Sequence, residues 1–579
     1  MIRELVDYTY SHGLVTRSGY APKAVKWAVD ITNSGQYLGI TVLGDPTLRG
    51  NAGVTFPVAP HLEQSELVAG GQTRCHFLIE TAAVVAQWLD DSGRDAAKNA
   101  AKHQFFVGML AQAKVGVPDL DAWERCLSDP ATLERIRADL KSQRAKATDR
   151  VTVRCDGRFL VESNEWHGWW ESFRSQIRPA GANLTSGQCL VTGEFGTIAP
   201  THPKITGLAS VGGSSMGSVL VSFDKDAFAS YGLQQGANAP MLESVAGAYK
   251  SALNDLIGKG LKLAGMRVVY WYKEPVPQEN DPLAFLGTPP SEGQERQALS
   301  EAERTLKAFN AKPEETLGIA APSGNRYYLM LLSAAQARVM VRAWYEGAYE
   351  ELKNNVIQWF SDLGLVRLDG GPPKRTPFYS LLRQLAVEER ELPPSQVRNL
   401  WEAAVMNRAI PLAVAQAALQ RIRHDIVRAS LPTEGAVALL KIFLVRKKGL
   451  VKHEMDSALN PDRPEAAYQL GRLLAVFGNL QSAENLSARG GLSSRFYTAA
   501  SVAPVMVFAR LFGLSEHYLT RLSSDALRQW YRNQITEIMN RMTNIPRTLT
   551  FEQQALFALG YYHQIAHFRS SRSDGKETK

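Results

Sequence analysis

The pattern of apolar and polar positions along this chain changes character near residue 394. Before it, short β-prone runs alternate with helical stretches. Val25–Thr32 and Tyr37–Val42 flank Asn33-Ser34-Gly35, a hairpin signal. Val151–Val161 forms a second hairpin pattern around Asp156-Gly157, a pair suited to a type I′ turn. The spacing predicts helices over Arg94–Ala113, over the charged stretch Asp119–Ala145 and over Met241–Ile257, with a buried strand at Arg267–Tyr272. Trp166, Trp169, Trp170 and Phe173 fall along one side of a helix, where they read as core in preference to a base-stacking platform. Tyr327–Leu332 and Arg338–Trp344 read as paired strands leading into a helix, Glu346–Leu363.

Beyond Pro394 the apolar residues recur at helical spacing throughout. The helical segments are Ser395–Met406, Leu412–Ala429, Gly435–Val445, Pro464–Asn479, Ser501–Leu511, Ser515–Leu522, Ala526–Met542 and Phe551–Phe568, with Pro and Gly mainly between them. The expected fold class is an α+β N-terminal region of mixed sheets and helices followed by an all-α C-terminal helical bundle. The expected divisions are 1–275 as an α/β domain, 276–294 as a linker or long loop, 295–393 as a small α+β region, 394–454 as connecting helices and 455–579 as the bundle. A length of 579 residues exceeds one core and fits several domains.

Composition adds partners and compartment. With 45% hydrophobic and 21% charged residues the chain reads as globular. No apolar run is long enough to span a bilayer, and the first fifteen residues lack a secretory core, so a cytoplasmic location is expected. Cys75, Cys126, Cys155 and Cys189 are spread out with no CxxC pair, which argues against a zinc knuckle or a disulfide framework. The formal charge of +8 attracts polyanions, or merely keeps the protein soluble; charge alone leaves both open. Arg489, Arg495, Arg510, Arg521, Arg528, Arg532 and Arg541 punctuate the last portion, and arginine suits bidentate phosphate contact better than lysine does.

The chemistry-bearing stretch is Gly187–Asn238. Two β-prone runs, Cys189–Thr192 and Ser218–Phe223, bracket a loop with His202, Lys204 and the cluster Gly212, Gly213, Ser214, Ser215. Glycines there permit positive φ and close backbone approach, and free N–H groups and hydroxyls suit phosphate or a groove. A catalytic constellation is missing: the acids are scattered, and no GxxxxGK[ST], HExxH or GxSxG pattern occurs. His202 reads as a loop-ordering or phosphate-facing residue, and His563 and His567 as surface or bundle residues without a third metal ligand. No catalytic residue, metal or cofactor is therefore expected, which points towards binding.

Four stretches carry a resemblance. Cys189–Pro240, with its VTGE, His-Pro-Lys-Ile, GGSSMGSVLVSF and SYGLQQGANAP, is similar to the large subunit of type I-C CRISPR interference (Cascade) complexes. Ala467–Leu474 (AYQLGRLL), Arg495–Ala500 (RFYTAA) and Phe557–Gln564 (FALGYYHQ) extend the similarity to the C-terminus. The resemblance implies a non-catalytic subunit that reads the short duplex motif beside the target (the PAM), promotes strand separation and R-loop formation, holds the displaced strand and helps recruit a trans-acting helicase–nuclease. Its implied partners are the CRISPR RNA with its backbone, RNA-processing and small subunits, target duplex and displaced single strand, with no membrane. Gln72, Arg74, Gln234 and Asn238 are candidates for base edges, the Gly212–Gly217 loop with Gly212, Gly213, Ser214 and Ser215, and Lys204, for the backbone, and Arg489, Arg495 and Arg510 for single-stranded DNA. The resemblance further implies a separate small subunit made from an internal start, for which Met455 is the candidate. Two rivals remain: a metal-dependent nuclease or CRISPR RNA-processing endonuclease, and a purely structural assembly subunit.

Overall fold

The computed structural model describes all residues except 15–18, 46–52, 64–65, 68–70, 72, 89–94, 178–185, 264, 279–280, 288–323, 372, 374–375, 386–391, 448–454, 485–490 and 575–579. The chain divides into two compact units: Met1–Gly258 with Ala334–Met340, and Lys259–Ser333 with Val341–Lys579. The N-terminal region mixes sheets and helices, and the C-terminal region is helical. Residues 279–280 and 288–294 of the expected linker lie outside the described residues.

In unit 1, helix α1 (Ile2–Ser11) precedes strands β1 (Tyr20–Val25), β2 (Trp27–Ile31), β3 (Tyr37–Val42), β4 (Val54–Pro60) and β5 (Glu80–Thr81). Helices α2 (Ala96–Ala113), α3 (Asp119–Ser128) and α4 (Pro130–Ser142) follow, then β6 (Arg150–Cys155), β7 (Arg158–Phe159) and α5 (His167–Ile177). One sheet runs β3-β2-β6-β5 with β7 on β6, and β2 pairs parallel with β6. The β2–β3 hairpin forms around the expected turn. In the β6–β7 hairpin, Asp156 (φ 43°) and Gly157 (φ 81°) both take the left-handed conformation a type I′ turn requires. The stretch Asp119–Ala145 is two helices, because Asp129 caps α4 by accepting from the amides of Ala131 and Thr132 while Pro130 opens it. Trp27, Val29, Val153, Phe106, Trp123 and Ile136 meet in the core.

Trp166, Trp170 and Phe173 belong to that core, with Trp169 partly buried against it. A buried Trp removes ~200 Å² from water, worth about 5 kcal/mol. A stacked base returns only about 1–3 kcal/mol, so these rings serve the fold.

The rest of unit 1 holds β8 (Ser186–Gln188), β9 (Phe195–Thr197), β10 (Lys204–Ile205), β11 (Ser218–Val219) and α6 (Glu243–Lys259). The run Cys189–Thr192 is not a strand but the turn of the β8–β9 hairpin, where Gly193 donates to Cys189 O (2.9 Å). Of Ser218–Phe223 only the first two residues are strand.

Unit 2 begins with β12 (Leu261–Leu263) and β13 (Met266–Tyr272), which lie beside β14 (Arg326–Ala335) and β15 (Arg338–Ala348) in the order β12-β13-β14-β15. Val268, Leu329 and Leu331 turn one face of this sheet into the helical core. After a short helical turn at Pro282–Gly287, the helices that follow β15 are α7 (Tyr349–Leu363), α8 (Phe378–Leu385), α9 (Pro394–Val405), α10 (Leu412–Val427), α11 (Glu434–Arg446), α12 (Ala466–Glu484), α13 (Leu492–Ala500), α14 (Pro504–Arg521), α15 (Asp525–Asn540) and α16 (Phe551–Asp574). Two expected segments, Ser501–Leu511 and Ser515–Leu522, form the single helix α14. The buried Ser515 stays in it by donating to the Phe512 carbonyl (2.8 Å).

Helices α12 and α16 pack most extensively, through glycine. A Cβ on Gly471 would collide with the Phe557 carbonyl, and one on Gly560 with the Tyr468 carbonyl. Beside this crossing lies a buried polar layer. Tyr468 Oη and His563 Nδ1 are 2.9 Å apart, and Arg472 Nε donates to Gln564 Oε1 (3.0 Å) and Nη1 to Gln469 Oε1 (2.8 Å). Burial pushes the His563 pKa down to about 3, so the ring is neutral. The stretches Ala467–Leu474 and Phe557–Gln564 are thus the two halves of one helix–helix contact.

Candidate nucleic-acid interface

Between β8 and α6 unit 1 is nearly all loop, and backbone hydrogen bonds hold it together. Leu190 N–H donates to Pro240 O (2.9 Å), Ala199 N–H to Met241 O (2.9 Å) and Gly236 N–H to Pro200 O (2.9 Å). His202 is buried beneath this crossing. Its Nε2–H donates to Ala239 O (3.1 Å), which leaves Nδ1 to accept from the Tyr249 hydroxyl (3.3 Å). Burial holds its pKa below the ordinary value, with the Ala239 bond offsetting part of that shift. A neutral imidazole with both nitrogens engaged pins the turn that carries Gln234 and Asn238.

The glycine cluster packs against the turn at Ala334–Met340. Gln336 N–H donates to Gly212 O (2.9 Å), and Ser214 N–H and Ser218 Oγ both donate to Gln336 O (2.8 Å each). Gly212 sits at φ 93°, and a Cβ there would collide with the Ala334 carbonyl; one on Gly213 would lie 2.9 Å from Leu208 O. These glycines are required by contacts inside the fold. The side chains of the loop turned to solvent are Ser215 and Met216, the latter 68% exposed.

The other candidates fall in different settings. Lys204, on β10, is half-buried, and its side chain makes no hydrogen bond or ion pair among the described residues. Gln234 is exposed, while Asn238 is half-buried and donates to Gln235 O (3.3 Å). Arg74 lies inside unit 1, only 9% exposed, with Nη1 donating to the carbonyls of Glu66 and Ile177 (2.8 Å each). Its guanidinium ties two distant parts of the chain together. Gln72 and Arg489 lie outside the described residues.

Sequence reasoning missed the large apolar side chains this segment holds in water. Phe195 is 76% exposed on β9, Tyr231 fully exposed, and Leu190 also lies open in its turn. Tyr231 adopts φ 58°, a conformation that costs a non-glycine residue about 1–2 kcal/mol. The available signal was their position: large apolar residues inside turn-rich sequence, next to Gly193, Gly196 or Gly232, have no periodic face to bury.

In the bundle, the arginines divide by partner. Arg521, Arg528, Arg532 and Arg541 pair with Glu484, Asp525, Glu516 and Asp462. Arg495 and Arg510 are exposed and meet no carboxylate among the described residues; Arg510 stacks over the Phe496 ring at 5.4 Å. Only such uncommitted guanidinium groups are available to phosphate without breaking an ion pair.

Among the described residues no three His, Cys, Asp or Glu side chains come together as a metal site. No helix among them is long and apolar enough to cross a membrane. Residues 5–569 match the family model described as CRISPR-associated protein (Cas_Csd1). No curated protein sequence matches the chain.

Proposed function

The chain belongs to the Cas_Csd1 family of CRISPR-associated proteins, and from that premise we propose that it is the non-catalytic large subunit of a type I-C RNA-guided surveillance complex. In this reading unit 1 inspects the PAM of target duplex and starts strand separation, base pairing to the guide reads the rest, and the bundle holds the displaced strand. The subunit then helps recruit the helicase–nuclease. One observation supports it above others: a loop segment braced by backbone hydrogen bonds presents Ser215, Met216, Phe195, Tyr231 and Gln234 outward, beside the half-buried Lys204. Polar side chains for base edges and apolar wedges for an opened base step are what minor-groove entry and duplex opening require. Arg495 and Arg510 supply phosphate contacts for the single strand.

The test is binding of target duplex by the assembled complex across a salt series. The reading predicts a steep fall in affinity with salt and discrimination between flanking motifs. Binding insensitive to both favours a structural assembly subunit, and phosphodiester cleavage by the chain alone with a divalent metal favours a nuclease.

We also propose that Met455 starts a separately translated small subunit. Met455 is 8% exposed, packed in the unit 2 core. The residues after it fasten onto their own helices: Arg463 pairs with Asp456 (3.2 Å) and Glu465 (3.0 Å), and Gln469 Nε2 donates to Pro461 O (3.1 Å). Such an N-terminal strap stays with the segment when translation begins there. Intact-mass analysis of material from the wild-type gene and from one with Met455 replaced by Leu decides it: loss of a 455–579 product is expected, and its persistence overturns the assignment.

A further inference from the structure

Unit 1 holds a pair of stacked imidazoles that the nucleic-acid reading does not use. His61 follows β4 and His76 precedes β5; both are half-buried, with ring centroids 4.8 Å apart and planes at 18°. The Leu62 amide donates to His76 Nδ1 (3.1 Å). A backbone N–H only donates, so Nδ1 carries a lone pair and the ring is neutral. His61 makes no side-chain hydrogen bond among the described residues. A proton added at His76 Nδ1 would set donor against donor, and a second on His61 would place two cations face to face.

The stretch behind the pair is strained. Leu78 is buried at φ 59°, in a three-residue turn closed by Ile79 N–H donating to Phe77 O (2.6 Å). Lys23 Nζ, on β1, holds this turn to the end of β4 by donating to Pro60 O (2.7 Å) and Ile79 O (3.4 Å). The surrounding charge opposes protonation of the rings. Lys23 and Arg150 on β6 act on both, Lys102 on α2 acts on His76, and Arg174 on α5 and Lys250 on α6 act on His61. The acids nearby are engaged: Glu63 takes Lys250 (2.7 Å), Glu66 takes Arg174 (2.6 Å), and Glu80 accepts from the His76 and Thr81 amides (3.1 and 2.7 Å). Burial pushes the Cys75 thiol up, so it adds no charge. Burial first, and these cations second, hold both imidazoles well below their ordinary value of 6.5.

We propose that this pair is a pH-sensitive latch: protonating both rings releases the His61–Glu63 turn from the Cys75–Glu80 stretch and frees α6, which Glu63 holds through Lys250. Helix α6 in turn meets the loop segment where the Tyr249 hydroxyl reaches His202 Nδ1 (3.3 Å), so opening loosens the support of the turn that carries Gln234 and Asn238. The latch is fully shut above pH 6.5 and weakens as pH falls, because only the opened form takes the protons. Each such proton raises the opened population about tenfold between pH 7.5 and 5.5, so two raise it about 100-fold. Lys23, pushed down to about 7 by burial, acts in the same direction.

Hydrogen exchange of the full-length protein, read by mass spectrometry at pH 7.5 and 5.5 and corrected for the intrinsic rate, tests the latch. Protection in peptides covering His61–Glu63 and Cys75–Glu80 is expected to fall about 100-fold or more in the wild type, while strand β2 keeps its own. His76→Asn puts an amide oxygen where Nδ1 accepts, and His61→Phe keeps a stacked ring; neither new side chain titrates. In each variant the fall is expected to be about tenfold smaller than in the wild type. Unfolding midpoints at pH 7.5 establish that a variant folds, and either one suffices. Protection that does not change with pH, that falls equally in the wild type and a folded variant, or that is lost equally at β2 overturns the latch. None of these results bears on the nucleic-acid reading, which duplex binding tests separately.

Discussion

The loop segment of unit 1 and the helical bundle of unit 2 both use glycine to bring backbones into contact, with opposite consequences. At Gly212 and Gly213 a loop lies against the carbonyls of Ala334 and Leu208, and the side chains of Ser215 and Met216 just beyond are turned outward. At Gly471 and Gly560 two helices meet, and the neighbouring Tyr468, Arg472, His563 and Gln564 are turned into a buried polar layer. The same residue type thus leaves nearby side chains in solvent in one region and withdraws them from it in the other. Glycine content alone therefore does not mark an interface; what surrounds the missing Cβ decides.

The sharpest way to break this contrast is a side chain at the helix crossing. Gly471→Leu is expected to destabilise unit 2 by about 3 kcal/mol or more, because the obstacle is backbone that cannot rotate away. A urea unfolding midpoint equal to that of the wild type contradicts the close crossing. Gly212→Val is expected to act on unit 1 alone, read as faster proteolysis of residues 186–242 with the bundle intact.

The polar layer gives a second test through pH. The folded pKa of His563 lies near 3, below the ordinary value of 6.5, so the unfolded chain binds the proton first as pH falls. Stability from this residue is complete above pH 6.5 and declines towards pH 3 by about 1.4 kcal/mol per unit, or about 2 kcal/mol at pH 5. The change in unfolding midpoint between pH 7 and pH 5 is expected to shrink in His563→Gln; an unchanged difference contradicts a buried neutral ring.

Arg74→Ala is expected to cost about 1–3 kcal/mol by leaving the Glu66 and Ile177 carbonyls without their donor, while motif preference in duplex binding is retained. A lost preference at full stability assigns Arg74 to DNA after all. The smallest effect belongs to the bundle surface. Arg495→Ala with Arg510→Ala is expected to weaken single-strand binding about five- to tenfold and lower the salt slope by about one per residue. Arg528→Ala, whose guanidinium is paired with Asp525, is expected to change neither.

What was legible in the sequence follows from the range of the forces involved. The two hairpins could be read because Asn33-Ser34-Gly35 and Asp156-Gly157 carry their turn geometry locally. The bundle helices could be read because their burial is periodic. The short helix α13 was not, since nine residues after Gly490-Gly491 offer too little period. The burial of Arg74 was not legible because its acceptor on Ile177 lies 103 positions away and leaves no trace near Arg74. The solvent-facing Phe195 and Tyr231 were missed for the converse reason: only the folded loops reveal that nothing covers them. The recognisable stretches at Ala467–Leu474 and Phe557–Gln564 proved to be packing, so the features that identify the family in the bundle differ from those that would touch a ligand.

The most direct measurement is selection of target duplexes with a randomised flanking motif by the assembled complex, comparing wild type with the Lys204→Ala, Ser215→Ala and Gln234→Ala variants. Recognition through these loops predicts a defined motif for the wild type that is relaxed or altered in at least one variant, with guide pairing unchanged. The same motif recovered at the same enrichment from all four proteins would contradict it.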